Sequence, residues 1–210
     1  MTLPTERPRA RHLLTLLLVA AASIFPSGGA SAQDAPAGAR PPARSGFHLS
    51  IGVGSASVSA TCTGCDVDFF QDRTNGFSGR LQIGGALTPR LVLAGEFLGW
   101  IKNDAQLNRR IAALSGVLLG YPSASSGFFV KGGVGVLRAV AENDILVVQS
   151  DAMMGSTGIG YDVPLGGSAL LTPYVTYIRT FATETWANGV VSPVPISPNA
   201  IQLGVAITVH

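Results

Sequence analysis

The chain has little charge and little cysteine, and beyond its N-terminal segment it has no apolar run of helix-spanning length. Charged residues make up 12% of its 210 residues, and Cys62 and Cys65 are its two cysteines. So few cysteines exclude a disulfide-rich scaffold. After residue 32 the basic and acidic residues are equal in number, which argues against nucleic acid or another strongly charged partner. The lack of an apolar run of about 18 residues excludes a helical membrane domain.

The N-terminal segment has the pattern of an export signal. Three arginines precede an apolar run over residues 13–25, and Ala30-Ser31-Ala32 has the form of a signal-peptidase site. This pattern predicts a signal peptide over residues 1–32. Residues 33–46 are rich in Ala, Pro and Arg, which favours a disordered periplasmic lead-in. The remaining segment, 47–210, is the predicted folded domain.

The C-terminal segment alternates between two kinds of side chain. From Ile201 to Val209 every odd-numbered residue is branched and apolar, and every even-numbered residue is small or polar. Because side chains alternate between the faces of a strand, this segment has one apolar face and one small, polar face. Its length suits a tilted strand that crosses a bilayer. Similar patterns predict eight strands, over residues 47–60, 77–87, 91–103, 110–121, 128–141, 152–163, 170–183 and 201–210.

The connections between these strands alternate in length. Three are short and rich in Pro, Gly or Ser, at residues 88–90, 122–127 and 164–169. The other four, near 61–76, 104–109, 142–151 and 184–198, are mostly longer and more polar. Short turns at one end and longer loops at the other are typical of up-and-down barrels in bacterial outer membranes. The sequence therefore predicts an all-β fold, an eight-stranded antiparallel transmembrane β-barrel.

The chain resembles the small eight-stranded outer-membrane barrels of the OmpA/OmpX type. The resemblance covers about residues 46 to 210, and its motifs are architectural. They are Leu87-Thr88-Pro89-Arg90-Leu91, the Tyr121-Pro122 turn with the glycine-rich strand from Gly127 to Gly135, the segment from Gly160 to Gly166, and the C-terminal strand. The resemblance implies location in a bacterial outer membrane. It also implies contact with outer-membrane lipid and lipopolysaccharide, and with the barrel assembly machinery.

Composition indicates which face of the barrel meets lipid. A soluble lipocalin-like barrel would carry charges over its outer face, whereas the polar face here is mostly Gly, Ala, Ser and Thr. Small side chains suit the narrow interior of an eight-stranded barrel. Because buried charges persist when they are paired, we expect a network of lumen charges, with Arg80 and Glu96 as diagonal neighbours. The predicted lumen residues are Arg80, Glu96, Lys131, Asp162 and Arg179.

The seventh strand is harder to assign to a face than the others, including the fourth. For the fourth strand we expect a lipid-facing row of Ile111, Val117, Leu119 and Tyr121. For the seventh strand we expect Tyr174 and Ile178 to face lipid, which places Val175, Tyr177 and Arg179 inside. A slip of one residue in the seventh strand would reverse Tyr177 and Arg179, since the side-chain period of a strand is two.

Two motifs could carry chemistry. Cys62-Thr63-Gly64-Cys65 lies in the first long loop, and in an oxidising envelope we expect a local disulfide. Free thiols and a redox role are the alternatives, although no βαβ setting for redox chemistry is present. His48-Leu49-Ser50 is similar to the His-x-Ser pair of outer-membrane lipid A deacylases, but it lies in the first strand without that family's context. We therefore expect His48 to fill the interior, and we predict no enzyme, cofactor or metal site.

Three functions fit these observations. The first is a non-enzymatic outer-membrane barrel with a structural or surface-interaction role, acting through the loops at residues 61–76 and 184–198. The second is a narrow conduit for small hydrophobic molecules, which would need space in a lumen that side chains normally fill. The third is a soluble periplasmic binding protein with a lipocalin-like barrel. The sequence identifies no surface partner.

Overall fold

The computed structural model describes residues 44–62, 73–104, 107–192 and 195–210. The predicted signal peptide and most of the predicted lead-in lie outside these residues. The described chain is all β, and no helix in it is long and apolar enough to span a membrane. Its strands are β1 (Gly46–Cys62), β2 (Thr74–Thr88), β3 (Leu91–Asn103), β4 (Asn108–Gly120), β5 (Phe128–Glu142), β6 (Val147–Tyr161), β7 (Val163–Gly166), β8 (Ala169–Ala187), β9 (Val190–Val191) and β10 (Ile196–Val209).

The strands form one closed antiparallel barrel. Each of β1 to β5 pairs with the next strand in the chain, β6 pairs with β8, and β10 pairs with both β8 and β1. The closing contact places Val53 opposite Val205, which in turn lies opposite Pro173. Eight strands, all but β7 and β9, therefore make the wall. The predicted eight-stranded up-and-down barrel is confirmed.

The two additional strands, β7 and β9, are short arms of hairpins with β8. In the predicted turn at residues 164–169, β7 folds back on the start of β8, and Gly166 and Gly167 have positive φ angles. At the opposite end, Asn188 and Gly189 have φ angles of 48° and 79° and join β8 to β9. Positive φ at both central residues defines a type I′ turn, which favours Asn-Gly. Sequence reasoning treated 184–198 as a loop and missed this hairpin.

A continuous apolar band covers the outside of the barrel. At the short-turn end the band begins with Phe47, Phe128 and Tyr161. Its other exposed members include Ile51, Val53, Ile83, Leu93, Phe97, Leu114, Val134, Ile159, Val175, Leu203 and Val205. About ten residues further along, outward charges begin on three neighbouring strands with Arg110, Arg138 and Asp151. This length matches the band of about 25 Å on transmembrane barrels. An apolar exterior contradicts the soluble lipocalin-like alternative.

The structure corrects the face assigned to two strands. In β4, Val117 and Leu119 are buried inside, whereas Leu114 and Leu118 face outwards. Ile111 packs against the interior core, and Tyr121, just after β4, is also buried inside. Both faces of β4 are apolar, so its sequence pattern fits either orientation. The orientation is fixed by pairing with β3, where Val92 and Leu98 face the lumen.

The second corrected strand is β8. Tyr174, Thr176 and Ile178 are buried inside, and Tyr177 and Arg179 lie outside. The prediction for β8 was wrong because it assumed that large apolar side chains face lipid. Part of this lumen is itself apolar, and Ile178 packs there against buried side chains of other strands.

Candidate functional site in the barrel lumen

The lumen at the short-turn end, the periplasmic end of bacterial outer-membrane barrels, is closed by a base cluster of Arg44, Tyr121, Asp162, Thr172 and His210. Arg44 precedes β1, and its side chain is completely buried. Its guanidinium donates hydrogen bonds to the carbonyl oxygens of Ala124 (3.3 Å) and Ser126 (2.6 Å) in the β4–β5 turn. The guanidinium carbon lies 3.4 Å from the centre of the Tyr121 ring. Arg44 thus fastens the segment before β1 to the base of the barrel.

Asp162 is the shared acceptor of the base cluster. Its carboxylate accepts hydrogen bonds from Arg44 (3.3 Å), the Tyr121 hydroxyl (3.1 Å) and the Thr172 hydroxyl (2.8 Å), and His210 Nε2 lies 3.9 Å away. Burial alone would raise the pKa of Asp162, but the neighbouring His210 side chain, the hydrogen bond from Thr172 and the charge of Arg44 hold it below its usual value. Burial and the Asp162 charge raise the pKa of Tyr121. Asp162 is therefore ionised and Tyr121 neutral near pH 7.

Further along the lumen lies a mid-lumen cluster of Arg80, Gln82, Glu96 and Lys131. Lys131 Nζ contacts both carboxylate oxygens of Glu96, at 2.7 and 2.9 Å, and Gln82 donates a third hydrogen bond to Glu96 at 2.6 Å. Glu96 is completely buried, and Lys131 is nearly so. The three residues come from β2, β3 and β5, and they cross-link the wall through its interior.

Hydroxyl groups join the two clusters. Arg80 Nη2 donates to Ser50 Oγ at 3.3 Å. The hydroxyl oxygens of Ser50, Thr208 and Thr172 follow in series at 2.9 Å spacings, and Thr172 donates to Asp162. The connected side chains come from β1, β2, β8 and β10, so the network spans the closing seam between β1 and β10. Polar side chains thus occupy the half of the lumen nearer the short turns, next to β1, β2, β8 and β10.

The lumen near the loops is apolar. Its core consists of Ala56, Val58, Leu98, Trp100, Ala113, Leu137, Ala139, Met154, Ile178 and Ala200. Trp100 donates its indole N–H to the carbonyl oxygen of Ala56 at 3.0 Å, so its polar atom is satisfied within this core. A cavity of about 20 Å³ lies among these side chains. Such a space holds about one water molecule and no organic ligand.

Most of the predicted lumen charges lie inside, and one does not. Arg80, Glu96, Lys131 and Asp162 are buried in the lumen, but they divide between two clusters. The ion pair of Glu96 is with Lys131, not with its diagonal neighbour Arg80. The prediction for Arg179 was wrong, because the register of β8 turns this residue to the outer face. Sequence reasoning also missed the roles of Arg44, Tyr121, Gln82 and Tyr174.

The two motifs singled out for chemistry have different outcomes. His48 is buried in the lumen, where Nδ1 lies 3.4 Å from Nδ1 of His210 and Nε2 lies 3.5 Å from Gln82 Oε1. The backbone of Cys62 ends β1, but Cys65 lies outside the described residues, so the disulfide stays a prediction. Within the described part of the chain, no group of three His, Cys, Asp or Glu residues could hold a metal ion.

At the loop end, four exposed aliphatic residues form a loop-tip patch: Ile145, Val147, Val190 and Val191. Ile145 is 89% exposed and Val190 is 70% exposed. The Asn188 backbone N–H donates to the Val147 carbonyl at 2.8 Å, and the Asn188 side chain accepts from the Val147 N–H at 2.9 Å. These bonds tie the β8–β9 hairpin to the β5–β6 hairpin, so the patch is held together although it lies beyond the apolar band.

Solved structures of bacterial outer-membrane proteins share this fold. Neisserial surface protein A matches with a TM-score of 0.52 at 16% identity, covering 79% of this chain and 97% of that one. Ail, the attachment invasion locus protein of Yersinia pestis, matches with a TM-score of 0.50 at 10% identity, covering 78% and 99%. OprG of Pseudomonas aeruginosa matches with a TM-score of 0.50 at 15% identity, covering 80% and 97%.

No protein-family model and no curated protein matches the chain. The assignment therefore depends on the fold together with the apolar exterior. The similar structures are bacterial outer-membrane proteins, and the exterior has the apolar band that is typical of such barrels. The chain is a small eight-stranded β-barrel with the fold and the apolar exterior of bacterial outer-membrane barrels.

Proposed function

We propose that this protein is a non-enzymatic, non-conducting barrel that presents its loops for contacts at the cell surface. The observation that carries the proposal is the filling of the lumen. The base cluster, the mid-lumen cluster and the apolar core around Trp100 occupy successive levels of it. A barrel filled in this way acts as a rigid support, and the loops are left as its variable, accessible part.

The loop-tip patch is the surface that we assign to such contacts. Exposed aliphatic side chains beyond the lipid band gain nothing from the membrane, and clustered apolar groups on a protein surface are typical of interaction sites. The hydrogen bonds of Asn188 hold both hairpins in place, so little further ordering is needed on binding. Two of the similar structures are named for the cell surface and for attachment, which fits this role.

We expect the triple variant Ile145→Ser, Val190→Ser, Val191→Ser to reduce adhesion of expressing cells to octyl-coated beads several-fold. The variant removes apolar surface without touching the barrel wall, so the heat-dependent shift on SDS gels should be unchanged. Asp144→Ser, which alters an exposed polar residue next to Ile145 in the β5–β6 connection, is the matched control. Equal adhesion of the triple variant and the wild type would contradict the proposed role of the patch.

A second candidate function is a conduit for small hydrophobic molecules. A groove of about 500 Å³ on the outer face is lined partly by Phe97, Leu114 and Met153. Ala113 and Leu137 line both this groove and the cavity of about 20 Å³ in the apolar lumen. Only the wall of β4 and β5 therefore separates an outer apolar surface from an inner one.

Reconstitution separates the two functions. For a filled barrel we expect no conductance steps in planar bilayers. We also expect vesicles with and without the protein to take up N-phenylnaphthylamine at the same rate, because the cavity of about 20 Å³ in the apolar lumen, as the described residues form it, is too small for the dye. A reconstituted porin serves as the positive control for conductance. Faster uptake of the dye without conductance would favour the conduit, and conductance steps would contradict the filled lumen.

A further inference from the structure

Among the residues that the structure describes, Arg80 is the lumen cation without a carboxylate partner. It lies on β2 and is 3% exposed. The other two buried cations of the lumen are paired, Arg44 with Asp162 and Lys131 with Glu96. Across the described ranges, no Asp or Glu oxygen lies within ion-pair distance of Arg80. These side chains therefore carry three positive and two negative charges, and the excess charge belongs to Arg80.

Part of the guanidinium also lacks hydrogen-bond acceptors. Arg80 Nη2 donates to Ser50 Oγ, but Nε and Nη1 are buried and meet no acceptor in the described part of the protein. One face of the group is covered by Tyr174, whose ring centre lies 3.6 Å from the guanidinium carbon. Any further ligand must therefore approach in the plane of the guanidinium, where Nε–H and Nη1–H point.

Burying a charge without a counter-charge is strongly unfavourable. The N–H donors of a buried charged group are also costly to leave without hydrogen-bond acceptors. A water molecule would accept hydrogen bonds from these donors but would leave the charge of Arg80 without a counter-charge. We propose that Arg80 binds a small monovalent anion inside the barrel, a halide or a carboxylate the size of formate. The anion accepts from Nε and Nη1 and balances the charge of the lumen.

The surroundings restrict the anion to a small one. Tyr174 packs so closely on β10 that a Cβ atom added to Gly204 would lie 2.5 Å from its hydroxyl oxygen. The base cluster closes the lumen at the short-turn end, and the core around Trp100 closes it towards the loops. Because both ends are filled, an anion enters most readily while the barrel folds, and it then exchanges slowly. Gluconate is too large to take the place of such an anion in the lumen.

The test is to refold the full chain into phosphatidylcholine vesicles in sodium bromide, sodium formate or sodium gluconate at equal ionic strength. Free ions are removed by gel filtration, the protein is denatured, and released bromide or formate is counted. The urea midpoint of unfolding is measured in each salt. Arg80→Met removes the charge, and Arg179→Met is the matched control because Arg179 lies on the outer face.

For the wild type and Arg179→Met we expect one retained bromide or formate per chain, or a higher urea midpoint than in gluconate. Arg80→Met should show neither effect, and the salt with the larger effect identifies the preferred anion. If Arg80→Met does not fold, Arg80→Gln replaces it, and the wild-type measurements stand by themselves. Absence of both effects in the wild type, or equal effects in Arg80→Met, would overturn the proposal.

Discussion

Replacing Glu96 with alanine will destabilise the barrel by about 3–5 kcal/mol, the range for breaking a buried ion pair by removal of one partner. The cause is Lys131, which loses both of its carboxylate contacts and stays buried in a lumen that already holds Arg80. Gln82 loses its acceptor as well. The measurement is urea unfolding in phospholipid vesicles, followed by tryptophan fluorescence and by the gel shift of unboiled samples.

The double variant Glu96→Met, Lys131→Met is the control for this prediction. Exchanging a whole buried ion pair for apolar side chains of similar size is often neutral or stabilising. We therefore expect the double variant to be more stable than Glu96→Ala, with the free energy of unfolding close to that of the wild type. Additive losses from the two positions would show that Glu96 and Lys131 do not act as a pair.

Replacing Arg44 with alanine will lower the free energy of unfolding by about 3 kcal/mol, because a buried carboxylate then loses its ion-pair partner. Asp162 keeps its hydrogen bonds from Tyr121 and Thr172, so the loss should be smaller than for Glu96→Ala. The carbonyl oxygens of Ala124 and Ser126 lose a donor in the same change. Urea unfolding in vesicles at pH 7 is again the measurement.

The effect of Arg44→Ala should depend on pH in a defined direction. The pKa of Asp162 is lower in the folded protein than the ordinary value of an aspartate, so the ionised carboxylate contributes stability above the unfolded pKa. That contribution is lost as the pH falls through the folded pKa. The difference between the wild type and Arg44→Ala should therefore be constant near neutral pH and shrink below about pH 4.

Arg90→Ala provides the control for both measurements at the base, because this exposed arginine lies in the β2–β3 turn without an ion pair among the described residues. A loss for Arg90→Ala equal to that for Arg44→Ala would contradict a specific role for Arg44. A pH-independent difference for Arg44→Ala would instead locate its contribution at the Ala124 and Ser126 carbonyls.

The sequence by itself determined the architecture and the direction of most strands. Alternation in β1, β2, β3 and β10 is strong because each has a row of large apolar residues opposite a row of small or polar ones. For the same reason Arg80 and Glu96 could be assigned to the lumen from the sequence. Turn chemistry fixed the positions of the short connections, since Pro and Gly restrict the backbone locally.

Only the tertiary structure decided the orientation of β4 and β8, and with it the position of Arg179. Their patterns are compatible with either face, because the upper lumen accepts apolar side chains as readily as lipid does. Pairing with neighbouring strands fixes the register, and a shift by one residue would reverse every side chain. The pairing of Glu96 with Lys131 and the insertion of Arg44 next to Asp162 also depend on closure. Each joins residues far apart in the chain, and a local pattern holds no information about such distances.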